Sequence, residues 1–221
     1  RLTALAERLR GETGVQVDIL QADLTQDSDI TAVEQRLRED AQIGILINNA
    51  GTSIPGDFLN QSSADITRLI TLNVTAVTRL ANAIAPRLTR AGAGAIVNIA
   101  SVVGLGPEMG LTVYGATKAF VLFLSQGLDV ELSAKGVYVQ AVLPAATRTE
   151  IWQHSDKDVN AIPGVMEVEK LVDAALVGFD RRELVTIPPL QDETQWQMLN
   201  AMRQAMLPAF VQSEPAARYL A

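Results

Sequence analysis

The sequence contains no cysteine and a single histidine, His154. Without cysteine the 221-residue chain can form neither a disulfide framework nor a thiolate metal site, and one histidine leaves little scope for imidazole chemistry. We therefore expect the functional site of this protein to contain no metal ion, and we expect His154 to be exposed rather than catalytic. Acid–base chemistry in this protein must rely on other side chains.

Positive charge and long apolar runs are also scarce. The formal net charge is −7 and the isoelectric point is near 4.8, which argues against a nucleic-acid surface, since such surfaces need clustered Lys and Arg. No segment approaches the roughly 18 uninterrupted apolar residues of a membrane span. With 48% hydrophobic residues the chain can bury a core as one domain. We expect a cytoplasmic protein that binds a small molecule and neither nucleic acid nor membrane.

Segments with helical and strand-like patterns alternate along the chain. Helical periodicity predicts helices over about 2–10, 28–40, 62–88, 112–133 and 167–179, with Ser28 or Asp27 capping the second. Short apolar runs predict strands at 15–20, 43–47, 95–100, 137–143 and 184–187. This alternation predicts a doubly wound, Rossmann-like α/β fold with a parallel sheet. Asp192 and Glu193 suit the first turn of a helix in a C-terminal extension at 191–221.

One part of the dinucleotide-binding pattern is not found. Such folds begin with a strand, a glycine-rich turn and a helix, because only glycine lets the backbone approach the pyrophosphate closely. The sequence instead starts on what resembles the second helix of that pattern, so we expect a βαβ opening of about 40 residues to be absent. The residue that selects NAD or NADP would lie in that opening, so the sequence leaves both cofactors open.

Tyr114 and Lys118 are the first candidates for chemistry. They stand four residues apart near the start of a predicted helix, so both side chains project from one face. A neighbouring ammonium favours the phenolate and lowers the pKa of a tyrosine, which would make Tyr114 a usable general acid or base. The alternative is an accidental pair on an exposed turn.

Other polar residues follow or flank the predicted strands. Ser101 comes directly after the strand at 95–100, at the edge where parallel sheets bind ligands, although a lone serine there usually just begins a loop. Asn73 lies on the apolar stripe of the third helix, where by itself it indicates a satisfied core amide. The run from Asn48 to Gly51 follows the strand at 43–47 and suits either a flat ligand wall or a turn. Asp23 suits either an adenine contact or an Asx turn.

Taken together, these residues resemble the short-chain dehydrogenase/reductase family in order and spacing, over about residues 1–190. The residues that carry the resemblance are Asn48-Asn49-Ala50-Gly51, Asn73, Ser101 and Tyr114-x-x-x-Lys118. The resemblance implies an oxidoreductase that transfers a hydride between NAD or NADP and an alcohol or ketone. By the same resemblance, Tyr114 is the acid/base, Lys118 lowers its pKa and binds the nicotinamide ribose, Ser101 holds the substrate oxygen, and Asn73 supports a water-linked proton relay.

The resemblance also implies a set of cofactor contacts. It assigns Asp23 to the adenine, Asn49, Ala50 and Gly51 to the adenosine-side wall, Pro144 to the nicotinamide and Thr149 to the carboxamide. The family's usual Pro-Gly reads Pro144-Ala145 here, and the alanine methyl narrows the tolerated φ. We expect this change to shift the cofactor slightly and not to exclude catalysis.

Two other functions compete with this one. The first is a catalytically silent dinucleotide-binding or regulatory protein on the same scaffold, since a fold alone does not establish activity. The second is a sugar-nucleotide epimerase or dehydratase, which shares Tyr-x-x-x-Lys but needs more than the roughly 30 residues that follow Leu190. The intact Ser101, Tyr114 and Lys118 favour the oxidoreductase.

Apolar residues predict the substrate walls and a subunit contact. We expect the loops at 102–111 and 147–165 to flank the site, with Leu105, Met109, Ile151 and Trp152 as apolar walls. The helix at 112–133 is apolar over more of its surface than one sheet face can cover. We therefore expect a homodimer or homotetramer that uses Phe120, Phe123, Leu124 and Leu128.

Overall fold

The computed structural model describes residues 1–150, 152 and 158–220. Within them the chain forms two compact units, Arg1–Pro188 and Pro189–Ala221. Ile151 and His154 lie outside the described residues, so the wall and exposure expected of them stay predictions.

The first unit is built on a parallel sheet of four strands, in the order β1-β2-β3-β4. The strands are β1 (Ile45–Asn48), β2 (Ala95–Ile99), β3 (Tyr138–Val142) and β4 (Val185–Thr186). Its helices are α1 (Leu2–Thr13), α2 (Asp27–Glu39), α3 (Ser63–Ile70), α4 (Val77–Ala91), α5 (Thr112–Leu132) and α6 (Val168–Asp180). The predicted Rossmann-like α/β fold is therefore confirmed.

The burial of each strand follows its place in the sheet. β2 and β3 have neighbours on both sides and are buried along almost their whole length, which explains their continuous apolar sequences. Among the described residues β1 pairs only with β2, and its burial alternates, with Ile45 and Ile47 exposed and Leu46 buried. Because parallel strands share one carboxyl edge, the segments after β1, β2 and β3 meet at the same end of the sheet.

The main hydrophobic core lies between α2, α4 and the sheet. It includes Ile30, Leu37, Leu80, Ile84, Leu88 and Ile96. Arg79 of α4 spans the edge of this contact, donating to Glu34 of α2 at 2.7 Å. The apolar stripe predicted for the helix at 62–88 therefore faces α2 along α4, and the chain passes from α4 into β2.

Two local predictions were wrong. Residues 15–20 form no strand, because nothing in the described part of the chain pairs with them, and Val15, Ile19 and Leu20 are exposed. Helix α2 begins at Asp27 after Gln26, with no side-chain cap, so neither Ser28 nor Asp27 caps it. Asp27 lies in the first turn, where its charge favours the positive end of the helix dipole.

The long helix predicted over 62–88 contains an irregularity. Ser62 caps its start by accepting a hydrogen bond from Asp65 N at 3.1 Å, and the helix continues as α3 to Ile70. Residues Thr71–Ala76 then form a π-helical segment before α4 begins at Val77. Such segments often occur at functional sites, and Asn73 lies within this one.

The second unit is mainly one amphipathic helix, α7 (Glu193–Met206). Glu193 lies in its first turn, as the sequence predicts, whereas Asp192 precedes that turn and caps the helix, its carboxylate accepting from Thr194 N at 3.0 Å. The assignment of 191–221 as an extension to one dinucleotide-binding domain stays a prediction. Among the described residues no helix is long and apolar enough to span a membrane.

Candidate active site

A cavity of about 1300 Å³ opens at the carboxyl edge of the sheet. The segments that follow β1, β2 and β3 form much of its wall, and α5 supplies another part of it. Most of the residues predicted to bind or react line this cavity, namely Asn49, Gly51, Ser101, Tyr114, Lys118, Pro144 and Thr149. The fold therefore brings together residues that are up to 100 positions apart in the sequence.

Lys118 is buried beneath Tyr114. Its Nζ atom lies 5.7 Å from the centre of the Tyr114 ring and donates to the Ile99 carbonyl at 2.8 Å. Only 6% of the residue is exposed, and burial lowers the pKa of Lys118 to about 8. At neutral pH most of the population therefore carries the ammonium, which keeps donors free for a ligand in the cavity.

The Tyr114 phenol is also largely removed from water. Burial raises the pKa of Tyr114 above its ordinary value, and a side-chain hydrogen bond with Ser101 opposes this rise. The sequence led us to expect a lowered pKa from the nearby ammonium, but the desolvation of the phenolate is the larger effect. At neutral pH Tyr114 is therefore protonated and able to donate.

Ser101 is fixed at the end of β2 by its own hydrogen bonds. Its Oγ atom donates to the Pro144 carbonyl at 3.2 Å and accepts from Val103 N at 3.4 Å. These contacts tie the segment after β2 to the segment after β3. The hydroxyl lies beside the Tyr114 phenol. When its hydrogen turns from the Pro144 carbonyl to a ligand, both groups can donate to one ligand oxygen atom.

Asn73 lies behind the cavity wall rather than in it. The residue is 1% exposed, and its Oδ1 atom accepts from Thr52 N at 3.0 Å. Its Nδ2 atom donates to the Thr52 carbonyl at 2.9 Å and to Thr117 Oγ1 at 3.1 Å. The carboxamide therefore holds the backbone of the wall segment that follows β1. Neither Thr52 nor Thr117 was singled out from the sequence.

Besides Asn73, three residues from the predicted motifs lie apart from the cavity wall. Asp23 borders a separate polar hollow, and its carboxylate accepts from Thr25 N at 3.0 Å and Thr25 Oγ1 at 2.8 Å, which is the Asx-turn alternative. These bonds lower the pKa of Asp23. Asn48 donates to Asn98 Oδ1 at 2.9 Å within the core. Ala50 is not among the lining residues.

The remaining cavity wall is mainly apolar, as the sequence predicts, but with partly different residues. Trp152 lines it, and its indole Nε1 donates to the Thr147 carbonyl at 2.7 Å. Leu105 and Met109 do not line it, because the short 3-10 turns after Ser101 leave both exposed. The other apolar lining residues include Ile54, Val102, Val103, Leu111, Ile162 and Leu171.

Comparison with known proteins agrees with this geometry. A family model described as short chain dehydrogenase matches residues 1–160. The fold superposes on a short-chain dehydrogenase from Sphingobium yanoikuyae in complex with NADPH, with a TM-score of 0.97 and 64% identity over 99% of this chain and 85% of that one. It also superposes on a bulky-bulky ketone specific alcohol dehydrogenase from Comamonas testosteroni, with a TM-score of 0.92 and 57% identity over 100% of this chain and 84% of that one.

Curated relatives are more distant and longer. A very-long-chain 3-oxoacyl-CoA reductase of Danio rerio is 35% identical over 155 residues, which is 68% of this chain and 48% of the relative. The chain spans about half the length of this relative and less of some others. Because the family model spans most of the chain and these folds superpose along its length, the resemblance seen in the sequence is confirmed, and the chain belongs to the short-chain dehydrogenase family.

Proposed function

We propose that this protein is an NAD(P)-dependent oxidoreductase that interconverts a ketone and a secondary alcohol. The observation that carries the proposal is the meeting of Ser101, Tyr114 and Lys118 at the wall of one largely apolar cavity. A hydroxyl, a protonated phenol and a buried ammonium are the groups that proton transfer to a carbonyl oxygen needs.

The residues present fit a nicotinamide nucleotide. A Cβ atom on Gly51 would lie 3.4 Å from both Asn73 Oδ1 and Lys118 Nζ, so bare backbone forms the wall beside the ammonium. Lys118 would bind the ribose, Asn49 and Gly51 the adenosine side, Pro144 and Thr149 the nicotinamide. Asp23, on the adenine, and Ala50, on the adenosine side, complete the proposed set of cofactor-binding residues. The bound cofactor supplies or accepts the hydride. The NADPH complex of the Sphingobium relative makes NADP(H) the first cofactor to test.

The side chains divide the proton chemistry among them. In the direction of reduction, Ser101 holds the carbonyl oxygen and Tyr114 donates the proton to it. The raised pKa of Tyr114 suits this direction, because the phenol stays protonated at neutral pH. Lys118 stabilises the phenolate that forms on Tyr114. Asn73 supports the water-linked relay that returns a proton to this phenolate.

The polarity of the cavity supports a ketone with two bulky substituents. The cavity of about 1300 Å³ would be shared with the cofactor, and the apolar wall of the remaining space suits two large apolar groups on either side of the carbonyl. The name of the Comamonas relative, which is 57% identical, supports the same class. We therefore propose bulky ketones and their alcohols as the substrates.

The test is NADPH oxidation by the protein with benzophenone, acetophenone and acetone, followed at 340 nm. We expect the highest kcat/KM for the ketone with two rings. Tyr114→Phe should lower kcat by about 10²–10⁴-fold, since only the transferable proton is removed, and should leave NADPH affinity nearly unchanged. Tight NADPH binding without turnover of any ketone or alcohol would instead indicate the catalytically silent protein.

We also propose that the protein is a homodimer or homotetramer joined through α5 and that it acts in the cytoplasm, where the nicotinamide cofactors are available. Phe120, Phe123, Gly127 and Val130 follow the 3-4-3 spacing of one helix face, and Phe123 is 74% exposed. A Cβ on Gly127 would meet nothing within 4 Å, so a second helix could approach closely there. Leu124 and Leu128, which the sequence predicts at this contact, are half-buried, so Gly127 and Val130 replace them in the proposed contact.

A further inference from the structure

We propose that Thr117 is a positioning residue that holds the Asn73 carboxamide, and through it the cavity wall at Thr52, in a single orientation. The inference rests on the proposed function for its kinetic consequences. Its structural basis is a chain of hydrogen bonds from α5 to the π-helical segment and on to the loop after β1.

The direction of each hydrogen bond follows from the chemistry of the groups. Thr117 Oγ1 has one hydrogen, and it donates this hydrogen to the Tyr114 carbonyl at 2.7 Å. Toward Asn73 the hydroxyl can therefore only accept. Asn73 must present its NH₂ group to Thr117, and the measured Nδ2–Oγ1 distance is 3.1 Å.

The other side of the carboxamide then matches the backbone of Thr52. Asn73 Oδ1 accepts from Thr52 N and Nδ2 donates to the Thr52 carbonyl, so both polar groups of that residue are bound. A flipped carboxamide would place its oxygen against the Thr52 carbonyl and its NH₂ group against Thr52 N. The flipped amide would satisfy none of its present partners, so the Thr52 backbone and the Thr117 hydroxyl together fix the orientation, and Thr117 anchors it to α5.

Burial prevents water from replacing the hydroxyl. Thr117 is 4% exposed and Asn73 is 1% exposed, so loss of the hydroxyl leaves a buried donor without a partner. The affected segment is functional rather than remote, because Thr52 lines the cavity and follows Gly51. A shift of this wall would move the surface that lies beside Lys118 Nζ.

The same helix contains a matched control. Ser125 is fully buried, donates to the Val121 carbonyl at 2.7 Å and accepts from Asn98 Nδ2 at 2.9 Å. Asn98 in turn accepts from Asn48, within the core and not at the cavity. Thr117 and Ser125 thus perform the same hydrogen-bonding task on α5, and only Thr117 performs it for the cavity wall.

The experiment compares Thr117→Val, Thr117→Ser and Ser125→Ala by thermal melting, NADPH titration and the pH profile of ketone reduction. We expect Thr117→Val and Ser125→Ala to lower Tm by similar amounts. Only Thr117→Val should lower kcat/KM, by about 10- to 100-fold, and weaken NADPH binding by about 10-fold, because the wall beside Lys118 is displaced. Its pH profile should also shift, because the displaced wall lies beside Lys118 Nζ, and Thr117→Ser should restore kcat/KM, NADPH binding and the pH profile.

The outcomes separate this inference from the proposed function. If the unmodified protein reduces no ketone, the proposed function fails, while weaker NADPH binding by Thr117→Val than by Ser125→Ala still supports the positioning role. Equal effects of these two variants on NADPH binding and kcat/KM would overturn it, as would an unmoved pH profile in Thr117→Val. If Thr117→Val does not fold, Thr117→Cys, whose thiol is a poor hydrogen-bonding group, takes its place with the same expectations.

Discussion

The backbone of Gly104 lies directly against the backbone of Lys118. A Cβ atom on Gly104 would be 2.8 Å from the Lys118 carbonyl carbon and 2.7 Å from the amide nitrogen of Ala119. Gly104 ends the 3-10 turn that begins after Ser101. The segment that presents Ser101 can therefore reach the helix that presents Lys118 only because residue 104 has no side chain.

We predict that Gly104→Ala damages both stability and activity. The added methyl would meet backbone atoms that cannot rotate away, so the turn after Ser101 must move from α5. We expect a loss of about 1–3 kcal/mol in the free energy of unfolding, and a fall in kcat/KM of about 100-fold. Urea denaturation and ketone reduction measure the two effects.

Gly11→Ala is the control for this substitution. Gly11 lies inside helix α1, and a Cβ there would meet nothing within 4 Å. The same chemical change should therefore stabilise the protein by about 0.5–1 kcal/mol and leave activity unchanged. Normal stability and activity in Gly104→Ala would contradict the close contact.

A second prediction concerns the proposed contact through α5. Phe123→Glu places a charge in the centre of the exposed stripe, and we expect it to convert the oligomer to a monomer, because a carboxylate is costly to bury between two helices. Light scattering measures the mass. Val172→Glu on α6, where Val172 is 47% exposed, is the matched control and should keep the mass of the unmodified protein. A monomeric unmodified protein would refute the proposed contact.

The sequence predicted the elements whose patterns are local. β2, β3 and α5 were placed correctly because continuous apolar runs and helical periodicity are properties of neighbouring residues. Ser101, Tyr114 and Lys118 were singled out because their spacing resembles the family motif, and all three line one cavity. Residues 15–20 were misjudged, since their apolar sequence suits a strand but a strand also needs a neighbour to pair with.

The supporting residues could not be predicted in this way. Gly104 and Thr117 act through contacts with α5 and the π-helical segment, and these contacts exist only after the chain has folded. The direction in which the pKa of Tyr114 shifts from its ordinary value also depends on burial, which the sequence does not give. A motif identifies the reacting groups, whereas their desolvation and alignment come from tertiary packing.

A third prediction concerns the pH dependence of stability. The folded-state pKa of Lys118 is about 8, below its ordinary value of 10.5, so the folded protein loses this proton first as pH rises. Between pH 8 and 10.5 the unfolded chain binds more protons, and stability therefore rises with pH in this window. The cost of burying the ammonium is fully present below about pH 8 and disappears toward pH 10.5.

Lys118→Met should accordingly stabilise the protein while it abolishes turnover. At pH 7 we expect a gain of about 1–3 kcal/mol, because the desolvation cost is removed while the Ile99 carbonyl loses its hydrogen bond. The gain should shrink between pH 8 and 10. Urea denaturation of the unmodified protein and of Lys118→Met at pH 7 and at pH 10 measures the gain at each pH. A gain that is the same at both would show that Lys118 is not the titrating group.

The last prediction concerns the backbone of Leu111, the residue that immediately precedes α5. Leu111 adopts the left-handed conformation, with φ 57° and ψ 47°. Its carbonyl accepts from Gly115 N at 2.7 Å, and the residue lines the cavity. This conformation costs a residue with a side chain roughly 1–2 kcal/mol, whereas glycine adopts it freely. We therefore infer that the strain is tolerated because it holds the Leu111 side chain at the cavity wall.

Leu111→Gly and Leu111→Ala separate the strain from the side chain. Both remove the leucine side chain and enlarge the cavity. In both variants the kcat/KM for a bulkier ketone, divided by that for a smaller ketone, should therefore rise by about 10-fold or more. Only glycine also relieves the backbone strain, so Leu111→Gly should be more stable than Leu111→Ala by about 1 kcal/mol. An unchanged ratio in both variants would remove Leu111 from the wall, and equal stability would show that the left-handed conformation is not adopted in solution.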